Sequence, residues 1–236
     1  MKKSATLSSL GIVFVLASAC LADVTIPIKD SSGRDSGWDA ILADAIHTDV
    51  YVDSVSGSLA YVRIEIAKDF YLPPENDLFA SNIIQFHQRL DDAHTVAVIQ
   101  ITSEAVTNNT GCDWTDYHFA VTGDAAAFNK TTTDGSRFST EPFTVKTWGA
   151  APTGWASNYA GTLDLSGGVV PDGDTFYPGS ALGRLYIDAD LSGDLAVNFT
   201  LTQTPTPEPA TLGLLAMGGA AVVLRRRRRG AALAAA

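Results

Sequence analysis

The sequence predicts an all-β fold, an antiparallel β-sandwich of jelly-roll-like form, in its central region. Short runs of alternating apolar and polar residues are separated there by clusters of Gly, Asn, Asp, Ser and Pro, the residues that form turns. About eight such runs follow one another, and no repeat of fixed period is visible. Many short strands with turns between them are typical of two packed sheets. We expect the sandwich to comprise residues 23–203.

The first strands form a predicted hairpin. Residues 60–67 alternate apolar and polar side chains, which predicts a strand with one buried face. Residues 50–55 are rich in Val and Tyr, and the turn formers Ser56 and Gly57 follow them. Residues 95–102 are apolar on both faces, which favours a central strand that is covered on both sides.

Two stretches favour short helices rather than strands. These are residues 39–46, which follow Trp38, and residues 124–128. The remaining strands are expected at residues 117–121, 143–148, 182–191 and 195–202.

The N-terminus has the features of a secretory signal peptide. Lys2 and Lys3 precede a short apolar core at residues 10–16, and small residues lead to Ala22. This stretch is too short for a lasting membrane span, so we expect cleavage after Ala22 and removal of residues 1–22. A lipoprotein signal that modifies Cys20 is the alternative.

The C-terminus has the features of a membrane anchor. Residues 210–224 carry no charge and would form a helix of roughly 22 Å, against a hydrocarbon core of about 30 Å. The basic residues that follow can snorkel to the headgroups and keep the tail, residues 225–236, in the cytoplasm. A buried helix of a soluble domain is the alternative, but a block of charge beside it argues against that. We therefore expect the membrane topology to be determined by five arginines, Arg225, Arg226, Arg227, Arg228 and Arg229.

A short proline motif precedes this apolar stretch. Pro207, Glu208 and Pro209, the short helix and the arginine cluster together resemble the PEP-CTERM sorting signal. The resemblance implies recognition by exosortase, a membrane-embedded enzyme, and processing near Pro-Glu-Pro while the precursor sits in the inner membrane. Residues 204–209 are then an extended Thr/Pro spacer that carries this element. One departure is that residues 230–236 continue beyond the arginines.

A second, looser resemblance concerns the stretch at residues 108–120, NNTGCDWTDYHFA. It is similar to a pattern found in ectodomains that carry this sorting signal. Physically, Asn109 and Gly111 suit positive φ, and Trp114 suits a position capping the core.

The charge balance excludes one class of partner. Without residues 1–22 and the arginine cluster, nine basic residues remain against 26 acidic ones. Such a surface repels nucleic acid and anionic lipid, so we expect no nucleic-acid binding. The acidity is compatible with Ca²⁺, although solubility explains it equally well.

Acidic and histidine-containing loops are candidate metal sites. Residues 188–194 resemble the start of a calcium loop, but Phe199 stands where a bidentate Glu is needed, so we expect a hairpin turn. Residues 171–174 read as a solvated turn. His87 and His94 lack a usual metal-ligand spacing. No metal or other cofactor is expected.

A catalytic motif is not visible, and we expect no enzymatic activity. Cys112 is the cysteine left after export, and we expect it to be at least partly buried and without an intramolecular disulfide. The carboxylates that would have to pair in a glycosidase are Glu65, Glu75, Glu104 and Glu141. The aromatic residues that suit either the core or a sugar-stacking platform are Trp38, Trp114, Trp148, Trp155 and Tyr159.

These observations favour an exported cell-surface or extracellular-matrix protein, sorted by exosortase, with a non-catalytic β-sandwich. Its family context suggests exopolysaccharide and biofilm formation. One alternative is a carbohydrate-binding module for secreted polysaccharide, and a second is an envelope hydrolase.

Overall fold

The structure is a computed structural model. It describes residues 23–56, 58, 60–71, 83–123, 125–179, 183–193 and 196–207. The predicted signal peptide, the predicted helix at 210–224 and the arginine tail lie outside these ranges.

Within the described residues the chain forms fourteen strands and very little helix, which confirms the predicted all-β class. In chain order the strands are β1 (Val24–Lys29), β2 (Asp35–Leu42), β3 (Thr48–Val55), β4 (Val62–Phe70), β5 (Ile83–Gln88), β6 (Val98–Asn108), β7 (Trp114–Thr122), β8 (Ala126–Asn129), β9 (Val145–Trp148), β10 (Tyr159–Ala160), β11 (Thr162–Ser166), β12 (Thr175–Phe176), β13 (Leu185–Ala189) and β14 (Asn198–Pro207).

The strands form two sheets. The first has the order β1-β2-β5-β14-β7-β11-β9, and all of its described pairs are antiparallel. The second has the order β10-β8-β13-β6-β4-β3, with β12 paired to β6. The predicted hairpin is confirmed, since β3 and β4 pair antiparallel.

The expectation of purely antiparallel sheets is wrong at one place. Strands β4 and β6 run parallel, from the Val62–Ile99 pair to the Phe70–Asn108 pair. The chain leaves the second sheet after β4, forms β5 in the first sheet and returns as β6. A parallel pair requires such a crossover connection, and the local pattern of either strand does not reveal it.

The apolar faces of the two sheets meet in one core. Strand β7 shows the arrangement, because Tyr117 and Phe119 are buried while His118 between them is partly exposed. The predicted central strand is also confirmed: β6 lies between β4 and β13, and Ile99, Gln100 and Ile101 are buried in succession.

Both helix predictions are wrong. Residues 39–42 belong to β2, which pairs with β1 and β5, and residues 126–128 belong to β8. Ala and Leu favour a helix locally, but sheet pairing and burial of consecutive residues override that preference.

Among the described residues two helices are present, and both are short. One is α1 (Lys130–Gly135), whose N-cap Asn129 accepts a hydrogen bond from the Thr132 backbone N–H. The other is a single 3₁₀ turn at Asp92–His94. Across the described part of the chain, no helix is long and apolar enough to cross a membrane.

The predicted hairpin turn at residues 188–194 is also wrong. Strand β13 pairs with β6 and β8 in the second sheet, whereas β14 pairs with β5 and β7 in the first. The segment is therefore a connection between sheets. Alternation on both sides indicated two strands but not the sheet to which each belongs.

Candidate functional site

The sorting segment begins inside the last strand. β14 continues through Pro207 and pairs with β7, with Thr204 opposite His118 and Pro207 opposite Trp114. Residues 204–207 are extended, as predicted for the Thr/Pro spacer. They are paired with β7, however, whereas a free spacer starting at residue 204 would be unpaired. Glu208, Pro209 and residues 225–229 lie outside the described residues.

Among the described residues, the end of β14 is paired on one side only, and this arrangement tolerates proline. β5 pairs with β14 only as far as Thr202, so beyond that point β7 is its partner among the described residues. Proline lacks a backbone N–H and is accepted where a strand has an open edge. His118 adds side-chain contacts, with Nδ1 at 2.7 Å from Asp164 Oδ1 and Nε2 at 3.0 Å from Thr206 Oγ1.

A hydrogen-bonded loop adjoins this end of β14. The buried Asn108 donates from Nδ2 to the carbonyls of Cys112 and Val170, and its Oδ1 accepts from the backbone N–H and hydroxyl of Thr110. The Trp114 indole then donates to Thr110 Oγ1 at 3.2 Å. Trp114 is fully buried, as the sequence indicated.

The remaining predictions for the residues of this loop are partly confirmed. Gly111 has the expected positive φ of 78°, whereas Asn109 does not have a positive φ. Cys112 is exposed, so the expectation of partial burial is wrong. The exposed turn at residues 171–174 is confirmed, and it docks here through Gly111 N–H, which donates to Asp172 Oδ1 at 2.7 Å.

A cleft on the outer face of the second sheet brings together other candidate residues. It has a volume of about 480 Å³ and contains Trp155, Tyr159, Asp188 and Asp190. Strand pairing fixes the relative positions of β8, β10 and β13. Tyr159 of β10 lies opposite Asn129 of β8, and Asp188 of β13 lies opposite Ala127, which is two residues before Asn129 on β8. These positions share one face of the sheet, since side chains alternate along a strand.

Side-chain contacts orient the groups in this cleft. The rings of Trp155 and Tyr159 lie 4.7 Å apart in a T-shaped arrangement. Tyr159 Oη and Asn129 Nδ2 each donate to Asp188 Oδ2 at 2.9 Å. Burial, and then the Asp188 carboxylate, raise the pKa of Tyr159, so the hydroxyl keeps its proton. Hydrogen bonds from Ser192 lower the pKa of Asp190, which is therefore ionised at neutral pH.

The structure separates the aromatic residues that the sequence grouped as one possible platform. Trp38 and Trp114 are in the core. Trp148 lies on β9 in the other sheet, where its indole donates to Asp134. Only Trp155 and Tyr159 of this group line the cleft.

A buried polar cluster lies between the sheets and was not expected. Glu104 accepts a hydrogen bond from Gln203 Nε2 at 3.1 Å, and Tyr117 Oη donates to Gln203 Oε1 at 2.8 Å. Lys68 is also buried and acts electrostatically on Glu104. Burial raises the pKa of Glu104 to about 8, although the charge of Lys68 opposes the shift. The sequence signal for this cluster was the position of Glu104, a charged residue within a strand of alternating apolar residues.

The acids considered for glycosidase chemistry do not converge among the described residues. Glu104 is buried between the sheets, whereas Glu65 on β4 and Glu141 in a loop are exposed. Glu75 lies outside the described residues. Neither do the histidines form a metal centre: His87 is on β5 and His94 contacts Asp91 at 2.6 Å, and the described part of the chain has no group of three or more potential ligands.

Comparison with known proteins concerns the end of the chain. A family model for the PEP-CTERM protein-sorting motif matches residues 205–229. No curated protein and no solved structure match the chain. The chain thus carries a PEP-CTERM sorting motif, which begins within β14 and indicates an exported protein sorted by exosortase.

Proposed function

We propose that the protein is displayed at the cell surface or in the extracellular matrix, with a β-sandwich that is not catalytic. The observation that carries the proposal is the continuity of the sorting motif with β14. A motif that starts in the last strand of the sandwich ties the fate of the whole folded domain to that of its C-terminus.

The precursor is held in the inner membrane by a helix at residues 210–224. Only two residues, Glu208 and Pro209, separate Pro207 from the start of this helix at residue 210, so the chain from Pro207 to Ala210 spans at most about 10 Å. A protease must then act close to both the bilayer and the folded sandwich, which suits a membrane-embedded enzyme such as exosortase. Cleavage beyond Pro207 leaves every described strand intact.

The proposal is tested with a Glu208→Ala variant in the native host. If Pro-Glu-Pro is a recognition element, the variant accumulates as uncleaved precursor in the inner membrane, whereas the wild type reaches the surface. Glu65→Ala is the matched control, because it removes an exposed carboxylate of the sandwich and should be sorted normally. Normal processing of Glu208→Ala would mean that the segment is only an anchor.

A further inference from the structure

We propose that the cleft lined by Trp155, Tyr159, Asp188 and Asp190 binds a neutral polysaccharide. The cleft volume of about 480 Å³ lies within the roughly 300–1,000 Å³ typical of ligand sites. This inference goes beyond surface display, and it stands or falls independently of how the C-terminus is processed.

The aromatic pair provides a surface for the apolar face of a sugar ring. Trp155 and Tyr159 are half-buried at the cleft, unlike Trp38 and Trp114, which are fully buried. Their T-shaped packing at 4.7 Å holds both rings in place. A pyranose presents C–H groups on one face, and these pack favourably against an indole or phenol ring.

The backbone fixes the position of Trp155. Its N–H donates to the Pro152 carbonyl at 3.0 Å, and the Tyr159 N–H donates to the Ala156 carbonyl at 3.0 Å. Gly154, inside the first of these turns, has a φ of 88°, which a residue with a side chain adopts only with strain. The loop is therefore two consecutive tight turns, and it presents the indole with little conformational freedom left to lose on binding.

The carboxylates provide acceptors for sugar hydroxyl groups. Asp188 uses Oδ2 for its bonds from Tyr159 and Asn129, and a carboxylate has about four acceptor positions in all. Asp190 is ionised and exposed at the same cleft. Acceptors beside an aromatic face match the paired hydroxyls and apolar face of a sugar.

A second depression extends the cleft. It has a volume of about 470 Å³, shares Asp190 with the first and is also lined by Ser192, Gly193 and Asn198. Two depressions with a common residue suit a chain of several sugar units rather than a single one.

Charge selects against acidic polysaccharides. None of the described residues that line either depression is basic, whereas Asp188 and Asp190 are acidic. Uronic acid or sulfated polymers would therefore be repelled. The structure assigns the cleft to uncharged sugars.

Calorimetry on the full chain tests the proposal. The chain is kept in a detergent without a sugar headgroup and titrated with hexasaccharides of glucose, galactose, mannose and N-acetylglucosamine, and with hexamannuronate. At least one neutral hexasaccharide should bind, with an affinity that high salt does not change, and hexamannuronate should bind at least tenfold more weakly or not at all.

Variants locate the binding. Trp155→Ala should weaken it at least tenfold, as is typical for the loss of an aromatic anchor, and Asp190→Asn should weaken it by a smaller factor. Trp148→Ala is the matched control, because this partly exposed tryptophan lies outside the cleft, and it should bind like the wild type. Thermal unfolding of each variant shows that the fold is retained.

Several results would overturn the proposal. They are no binding of any neutral hexasaccharide, stronger binding of hexamannuronate, or equal losses in Trp148→Ala and Trp155→Ala. Salt-sensitive binding of poly-lysine in place of sugars would reassign the cleft to cationic ligands.

Discussion

Glu104 is a buried acid whose pKa is raised far above its ordinary value. It lies between the sheets with Lys68, Tyr117 and Gln203, each from a different strand. Buried ionisable groups of this kind contribute little net stability, but removing one partner alone is costly. The cluster makes the free energy of unfolding depend on pH.

We predict that the protein loses stability as the pH rises from 4.5 to about 8. The pKa of Glu104 is about 8 in the native state against an ordinary value of 4.5. Within that window the native state holds a proton that the unfolded chain has released, so raising the pH favours unfolding by up to about 1.4 kcal/mol per pH unit. Denaturant unfolding across the window measures this slope.

Glu104→Gln provides the control for that measurement. Glutamine can still accept from Gln203 Nε2 but does not titrate, so its stability should vary less with pH than that of the wild type. The other buried groups that face this position, Lys68 and Tyr117, are unchanged in the variant. Equal slopes for the two proteins would show that Glu104 does not titrate in this window.

Asn108 is the residue on which the loop beside Trp114 depends. We predict that Asn108→Ala lowers the free energy of unfolding by about 2–4 kcal/mol, because it leaves the buried Thr110 N–H without its acceptor and removes one hydrogen bond from each of the Cys112 and Val170 carbonyls. The neighbouring substitution Asn109→Ala, at a partly exposed position, should cost about 1 kcal/mol or less. Chemical denaturation measures both, and similar losses would contradict the assigned role of Asn108.

At the scale of elements, β14 links the sandwich to the sorting motif. Residues 204–207 pair with β7, and Thr206 contacts His118. They therefore belong to the folded domain as well as to the matched motif.

We predict that an ectodomain ending at residue 203 is less stable than one ending at residue 207, by roughly 1–3 kcal/mol. The shorter form loses the last backbone pairs between β14 and β7 and the contact of the Thr206 hydroxyl with His118. Each hydrogen bond lost costs about 1 kcal/mol. Thermal unfolding of the two forms measures the difference. Identical unfolding temperatures would mean that residues 204–207 are the free spacer that the Thr/Pro composition suggests.

The sequence predicted elements where burial follows local alternation. Strands were expected at residues 117–121 and 195–202, and the alternate apolar residues there, Tyr117 and Phe119 on β7 and Phe199 and Leu201 on β14, are buried. Burial of Glu104 was not predictable, because Lys68 and Gln203 reach it from strands distant in sequence. Similarly, Trp155 and Tyr159 were candidates, but their meeting with Asp188 depends on the register of β8.

At the scale of the whole molecule, the position of β14 determines which end of the sandwich faces the membrane in the precursor. Pro207 lies opposite Trp114, so the loop that contains Cys112 belongs to this end. The connection around Ser192 precedes β14 and lies near its other end, about 30 Å away for a strand of ten residues.

We predict that a fluorophore on Cys112 of the reconstituted precursor, stripped of its signal peptide, is quenched by headgroup-labelled lipid. Cys112 is exposed and so accessible to the label. The control is a Cys112→Ser, Ser192→Cys double variant, whose label should be quenched much less. Equal quenching at both positions would contradict the orientation.

The central claim is that the C-terminus is a processed sorting signal, and mass spectrometry of the mature protein tests it most directly. The protein is isolated from the native host and from an exosortase-deficient strain. Residues 1–22 should be absent from both, and peptides from residues 210–225 should be absent from the first strain and retained in the second. Peptides reaching Pro207 should be present in both. An intact tail in both strains would mean that the C-terminus is a permanent anchor and not a processed signal.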